Sequence, residues 1–264
     1  MKIVACIKQV PGTTKVEIDE ETGVLKRSGA EAKLNPYDLY TIEAAVRLAK
    51  EHGGDVTAIT MGPPQANAAL REALSMGADK SVLLSDKAFA GADVLATAYA
   101  LSQSITQLGD FDVILCGKQT TDGDTAQVGA ELAELLNIPH IANVSAILDI
   151  DDSHATVEAD MGNHIYTARL TLPCLLTLEK GIYTPRLPSY KRMLLTKDDE
   201  IPVITLKGLA DTDEAHFGLS GSPTQVERVF PPEASAEQQR ISGTSDEIAD
   251  EIYKLLLEQK LIGG

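Results

Sequence analysis

The sequence predicts an α/β fold, a doubly wound and mostly parallel sheet of Rossmann-like type with an added β-hairpin region and an extended C-terminal arm ending in a helix. Three observations carry that expectation. Residues 2–10, 55–62, 80–85 and 111–117 are short runs rich in Val, Ile and Leu that end near Gly, Pro or Asp, as strands buried on both faces do. Helical periodicity fills the gaps between them. After Pro139 the texture changes to alternation, which belongs to hairpins.

In chain order, the first helix is expected over 38–52, where Ile42, Ala45, Val46 and Ala49 fall at i, i+3, i+4 and i+7 and Gly53-Gly54 stops the pattern. Residues 64–76 and 92–107 repeat it, with Gly77 and Gly109 at their ends. Strand, helix, strand in this rhythm implies parallel pairing, with ligands at the carboxyl ends of the strands. Residues 144–148, 155–161, 164–172 and 174–178 then read as hairpins, with Gly162-Asn163 as a two-residue turn. Residues 181–203 hold three prolines and read as a long exposed loop, and 207–240 shows little regular pattern. Residues 245–261 make an amphipathic helix with Ile248, Ile252, Leu255 and Leu256 on one face. The expected division is a nucleotide-binding α/β domain over 1–206 and an arm over 207–264. The arm either packs on a partner subunit or folds back on its own domain; we expect the partner.

Composition narrows the function. The 264 residues are 44% hydrophobic with mean hydropathy -0.04, ordinary for a chain that buries a core. No stretch reaches the roughly 18 apolar residues of a membrane helix, and the N-terminus lacks an export signal, so a cytoplasmic protein is expected. A net charge of -16, from 23 Lys plus Arg against 39 Asp plus Glu, repels a phosphate backbone and excludes nucleic acid as a partner. Cys6, Cys116 and Cys174 lie in apolar runs and read as reduced, buried thiols. The five histidines have no ligand spacing, so no metal site is expected.

The densest chemical signal is Leu115-Cys-Gly-Lys-Gln-Thr-Thr-Asp-Gly-Asp-Thr-Ala-Gln-Val-Gly129, leaving a buried strand and entering a helix that continues through Leu136. A strand, a Gly-rich turn and a helix N-terminus receive phosphate, because the first helical N–H groups lack partners and the dipole there is positive. Gly117, Gly123, Thr125 and Ala126 are small enough for close backbone approach; Thr121, Thr125 and Gln127 can donate hydrogen bonds. Asp122 and Asp124 repel phosphate and are assigned to helix capping or to a ribose or adenine contact. A surface turn with ordinary capping is the alternative from the residues alone. No Gly-x-Gly-x-x-Gly follows any strand, and Gly-Lys-Gln at 117–119 is no P-loop, so self-contained dehydrogenase and NTPase readings fall.

Lys8-Gln-Val-Pro11, Asn35-Pro-Tyr-Asp38, Met61-Gly-Pro63, Ala73-Leu-Ser-Met-Gly-Ala-Asp79, the 117–129 turn and Gly221-Ser-Pro-Thr-Gln-Val226 together resemble the beta subunit of an electron-transfer flavoprotein over nearly the whole chain. The resemblance implies an adenine nucleotide alpha hydrolase-like fold and an alpha-subunit partner carrying FAD. It also implies a beta-subunit nucleotide, AMP in ordinary members or a second FAD in electron-bifurcating ones. The implied site is Cys6, Asn35, Pro36, Tyr37, Asp38, Met61, Gly117, Lys118, Gln119, Thr120, Thr121, Asp122, Gly123, Asp124, Thr125, Ala126, Gln127 and Val128.

Residues 121–129, with Gly91-Ala-Asp-Val-Leu-Ala-Thr97, resemble the bifurcating members, which implies FAD here, with Asp93 and Thr97 at its ring edge or ribityl chain. Val94 stands where relatives often place Thr. By the same resemblance the beta FAD exchanges hydride with NAD(H), and its electrons divide between ferredoxin and the alpha FAD that serves a dehydrogenase; no side chain acts as catalytic acid or base. The 181–192 loop resembles that of subunits paired with an FAD-dependent 2-hydroxyacid (lactate-type) dehydrogenase rather than an acyl-CoA dehydrogenase. Its Arg186, Leu187 and Pro188 are the expected partner contacts. A nucleotide-binding regulatory module without redox function is the remaining alternative.

Overall fold

The computed structural model describes residues 1–12, 17–18, 25–26, 32–227 and 240–262. Its strands are β1 (Lys2–Cys6), β2 (Gln9–Pro11), β3 (Glu17–Ile18), β4 (Leu25–Lys26), β5 (Ala32–Leu34), β6 (Asp55–Met61), β7 (Lys80–Leu84), β8 (Val113–Gly117), β9 (His140–Ile150), β10 (His154–Asp160), β11 (Ile165–Thr171), β12 (Cys174–Leu178) and β13 (Val203–Ile204). The helices are α1 (Pro36–His52), α2 (Asn67–Met76), α3 (Val94–Leu108), α4 (Val128–Leu136), α5 (Tyr190–Leu195) and α6 (Ser245–Glu258).

Nine strands form one sheet in the order β11-β10-β9-β12-β8-β1-β6-β7-β13. Every pairing from β9 across to β13 is parallel, and within this sheet β10 alone runs against the other strands, pairing antiparallel with both β9 and β11. The expected α/β, mostly parallel architecture is what forms.

Alternation along each strand explains the two layers. On β1, Ile3 and Ala5 enter a core shared with Ile42 and Leu48 of α1 and Leu70 and Ala73 of α2. Val4 points the other way, into a core shared with Leu101 and Ile105 of α3 and Leu132 of α4. The chain passes from β1 to β6 to β7 through α1 and α2, then returns through α3 to β8 on the other side of β1. The strand order therefore reverses between β1 and β8, the position where open α/β sheets bind ligands.

Two sequence expectations change. β12 is not a hairpin strand: it inserts in parallel between β9 and β8, and all five of its residues are buried. A run of Cys174-Leu-Leu-Thr-Leu178 is too apolar for a half-exposed hairpin and belongs in the sheet centre. Residues 181–203 are likewise not all loop. Ser189 caps the short helix α5, accepting from the Arg192 N–H, and β13 pairs with β7 at the sheet edge. The Gly162-Asn163 turn forms as expected, with Gly162 at φ 86° between β10 and β11.

The chain divides into two compact units, Met1–Glu227 and Arg228–Gly264. The first runs past the expected boundary at 206 because Leu206, Leu209 and Phe217 are buried in the α3–α4 core, where the Phe217 ring packs against Phe89 and Tyr99. The second holds α6, opened by a capping box in which Glu247 receives the Thr244 N–H at 2.8 Å.

Candidate functional site

β1, β6 and β8 end side by side, so Cys6, Met61 and Gly117 stand on one edge of the sheet, at and beside the point where strand order reverses. Beyond Gly117 the chain turns through residues 118–127 and enters α4. Residues 121–127 are all exposed, and Asp124 and Ala126 take left-handed backbone angles, φ 53° and 55°. Gln127 precedes α4 without a side-chain cap, so no capping side chain occupies the helix's first N–H groups. The hydroxyls of Thr121 and Thr125 and the Gln127 amide make no hydrogen bond among the described residues.

Two glycines act through packing. A Cβ on Gly117 would lie 2.4 Å from Asp38 Oδ1 and 2.8 Å from Tyr37 Cβ, and one on Gly129 would lie 2.5 Å from Thr177 Cγ2. Their absence of side chain brings α1 onto the end of β8 and the start of α4 onto β12. Gly123 differs: a Cβ there meets only Thr120 Oγ1, at 3.5 Å.

The start of α1 holds the turn. Asn35, fully buried, donates from Nδ2 to the Gln119 carbonyl at 2.9 Å and accepts the Thr121 N–H at 3.2 Å. The same Nδ2 donates to Asp38 Oδ1 at 2.9 Å, and Asp38 Oδ2 accepts the Lys8 backbone N–H at 2.7 Å. Burial raises the Asp38 carboxyl to about 7, against the hydrogen bonds from Asn35 and Lys8. Asn35 and Asp38 thus come together with the turn, as supports beneath it.

The acidic residues of the turn are engaged by the chain itself. Lys8 Nζ donates to both carboxylate oxygens of Asp122, at 2.8 and 2.9 Å. Burial alone would raise the Asp122 carboxyl, but the Lys8 ammonium outweighs it and the net shift is downward. Asp124 accepts from the Gln119 side chain, and Lys118 pairs with Glu179. Neither aspartate caps α4. Asp122 is thus paired with a cation, whereas Asp124 is held by a neutral amide and keeps its charge.

Asp93 and Thr97 lie apart, at the start of α3. The Asp93 carboxylate accepts from Ala96 N at 3.1 Å and from Thr224 N and Oγ1 at 3.0 and 2.7 Å, while its backbone N–H donates to Ser222 Oγ at 2.8 Å. It ties the Gly221–Val226 motif to α3. Thr97 is half-buried, with its N–H on the Asp93 carbonyl. α3 packs along α4, and there Glu131 has one buried carboxylate oxygen without a partner; burial first and the Asp93 charge second raise its pKa. Glu131 was not legible in the sequence, where it reads as an ordinary first-turn acid.

In the 181–192 loop, where partner contacts are expected, Leu187 is 87% exposed and Pro188 is also exposed, but the Arg186 guanidinium is bound to Glu43. Cys116 and Cys174 are buried free thiols and Cys6 is partly exposed. No cluster of metal-ligating side chains and no helix long and apolar enough to cross a membrane occurs among the described residues.

The chain matches the electron transfer flavoprotein domain over residues 22–207. It is 40% identical to the caffeyl-CoA reductase-Etf complex subunit CarD of Acetobacterium woodii, over 99% of this chain and 100% of that one. It is equally similar, 40% over 99% and 100%, to an electron transfer flavoprotein subunit beta of Thermoanaerobacterium thermosaccharolyticum. Similarity to protein FixA of Azorhizobium caulinodans is 38%, over 96% and 94%.

Proposed function

The chain belongs to the electron transfer flavoprotein family, with beta subunits among its relatives, and we propose that it holds FAD at the 117–128 turn and works as the beta subunit of an electron-bifurcating complex. When bound, that FAD supplies hydride exchange with NAD(H) and single-electron delivery to ferredoxin and to an alpha-subunit FAD, which serves a flavin dehydrogenase of the 2-hydroxyacid or acyl-CoA type.

The observation that carries the reading is the exposed, small-residue turn at the point of strand reversal, running into a helix start with no capping side chain. Around it the residues divide their work. The N–H groups at Val128 and Gly129 and the hydroxyls of Thr121 and Thr125 receive the diphosphate, while Cys6, Met61, Pro36 and Tyr37 bound the adenosine side. Asn35 and Asp38 keep the turn in shape, and Lys8 and Gln119 hold the two aspartates off the phosphates. Asp93 acts by fixing the start of α3 and the 222–224 segment, and Thr97, one turn further along that helix, is assigned to the flavin's ring edge or ribityl chain. A relative named as a subunit of a reductase complex supports a dehydrogenase or reductase partner. Because 207–227 packs with the first unit, only the second unit, Arg228–Gly264, is assigned to the alpha subunit, through the apolar face of α6.

Flavin counting tests the proposal. The complex purified with its alpha subunit should release two FAD per heterodimer; one FAD with AMP extracted in place of the other would assign a structural nucleotide to the turn, and no flavin would leave a regulatory module.

A further inference from the structure

Glu43 lies on α1, 3% exposed, and meets four N–H groups. Arg186 donates to it from its backbone N at 3.0 Å and Nε at 2.6 Å, both to Oε2, and from Nη2 to Oε1 at 3.1 Å. Arg47 donates from Nε to Oε1 at 2.6 Å, and its guanidinium lies 4.7 Å from the centre of the Tyr183 ring. Burial opposes ionisation there, yet the Arg186 and Arg47 bonds prevail and hold the Glu43 carboxyl down at about 2.

The next residues are fixed as firmly. Ser189 N–H reaches the Ser75 carbonyl at 2.9 Å, and Arg192 donates to the Leu74 and Ala78 carbonyls at 2.9 and 2.6 Å, closing the end of α2. Between these two anchorages only Leu187 and Pro188 are unattached. Leu187 is the most exposed large hydrophobic residue described. A loop built to hide a leucine would turn it inward; this one spends a buried carboxylate on holding it out.

We infer that Glu43 is a positioning residue for protein docking: by clamping Arg186 through backbone and side chain at once, it presents Leu187 to the dehydrogenase in its bound conformation. The inference rests on the reading of Leu187 as a partner anchor. Rigidity of this kind lowers the ordering cost of association without touching the bound nucleotide.

A double-mutant cycle separates the two. The alpha–beta complex is prepared as wild type, Glu43→Gln, Leu187→Ala and the double variant, and electron transfer to the dehydrogenase co-purified with the native complex is followed at varied dehydrogenase concentration. Glu43→Gln should raise KM for the dehydrogenase about 10-fold with kcat nearly unchanged, the effect of one or two side chains losing preorganisation. In the Leu187→Ala background the same change should add less than about 2-fold, because there is no longer an anchor to position. An equal effect in both backgrounds, or a fall in kcat alone, overturns the inference; Leu187→Ala without any effect on KM overturns the anchor reading and the inference with it. If Glu43→Gln does not fold, Arg186→Ala run through the same cycle reads the same coupling.

Discussion

Asn35 and Gln119, 84 positions apart, are joined by a 2.9 Å hydrogen bond from the buried Asn35 carboxamide to the Gln119 carbonyl, and the same side chain receives the Thr121 N–H. The start of one helix thereby sets the backbone of a turn in another segment. Asn35→Ala leaves those two groups and Asp38 Oδ1 short of partners, at about 1–3 kcal/mol of stability. The expected outcome is a lower urea midpoint and a larger fractional loss of bound nucleotide, read by denaturation and by nucleotide extraction. A loss of stability with full nucleotide content would separate Asn35 from the turn.

Gly117 and Gly123 bracket the turn and should answer mutation oppositely. Gly117→Ala puts a Cβ 2.4 Å from Asp38 Oδ1 and should prevent normal folding. Gly123→Glu meets no close contact, so the fold should stand with an unchanged circular dichroism spectrum. A bulky anion beside the diphosphate should nonetheless abolish beta-subunit flavin and spare the alpha flavin. Unchanged flavin content in Gly123→Glu would move the cofactor elsewhere.

Asp38 gives a pH dependence of definite sign. Its carboxyl titrates near 7 when folded against 3.8 as the reference, so between those values the folded state holds a proton that the unfolded chain has released. Stability therefore falls as pH rises from about 4 to about 7 and levels off above. Glu43 acts oppositely and lower: with its folded value at about 2, its contribution is complete above 4.5 and is lost as pH falls toward 2. Urea unfolding at pH 5 and pH 8 should show the Asp38 slope in wild type and its disappearance in Asp38→Asn.

What the sequence displays and what it conceals follow from range. The run from Leu115 to Leu136 is legible because strand, turn and helix are contiguous and each has its own period. β12 misleads because its neighbours β8 and β9 are chosen by the whole sheet, while the run itself follows a true hairpin. Glu43 conceals its role altogether, since it sits 143 positions from Arg186 and shares a helix face with core alanines. Asp122 and Asp124 look like obstacles to phosphate until Lys8 and Gln119 are seen to engage them, one from the link between β1 and β2 and one from within the turn.

Leu187 carries the remaining prediction. It is 87% exposed in a segment whose flanks are fixed by Glu43, Ser75 and the end of α2, so its exposure is a property of the fold and not of a loose loop. Burying one leucine side chain in a partner's pocket contributes roughly 1.5–3 kcal/mol. At about 1.4 kcal/mol per decade, Leu187→Ala should weaken dehydrogenase association about 10- to 150-fold. The turn at 117–128 belongs to a different part of the chain and makes none of the loop's contacts, so reduction of the bound flavin by NADH should be nearly unchanged. Stopped-flow flavin reduction beside steady-state transfer to the dehydrogenase reads both rates. If both fall together, Leu187 supports the flavin site through the fold; if neither moves, the partner docks elsewhere.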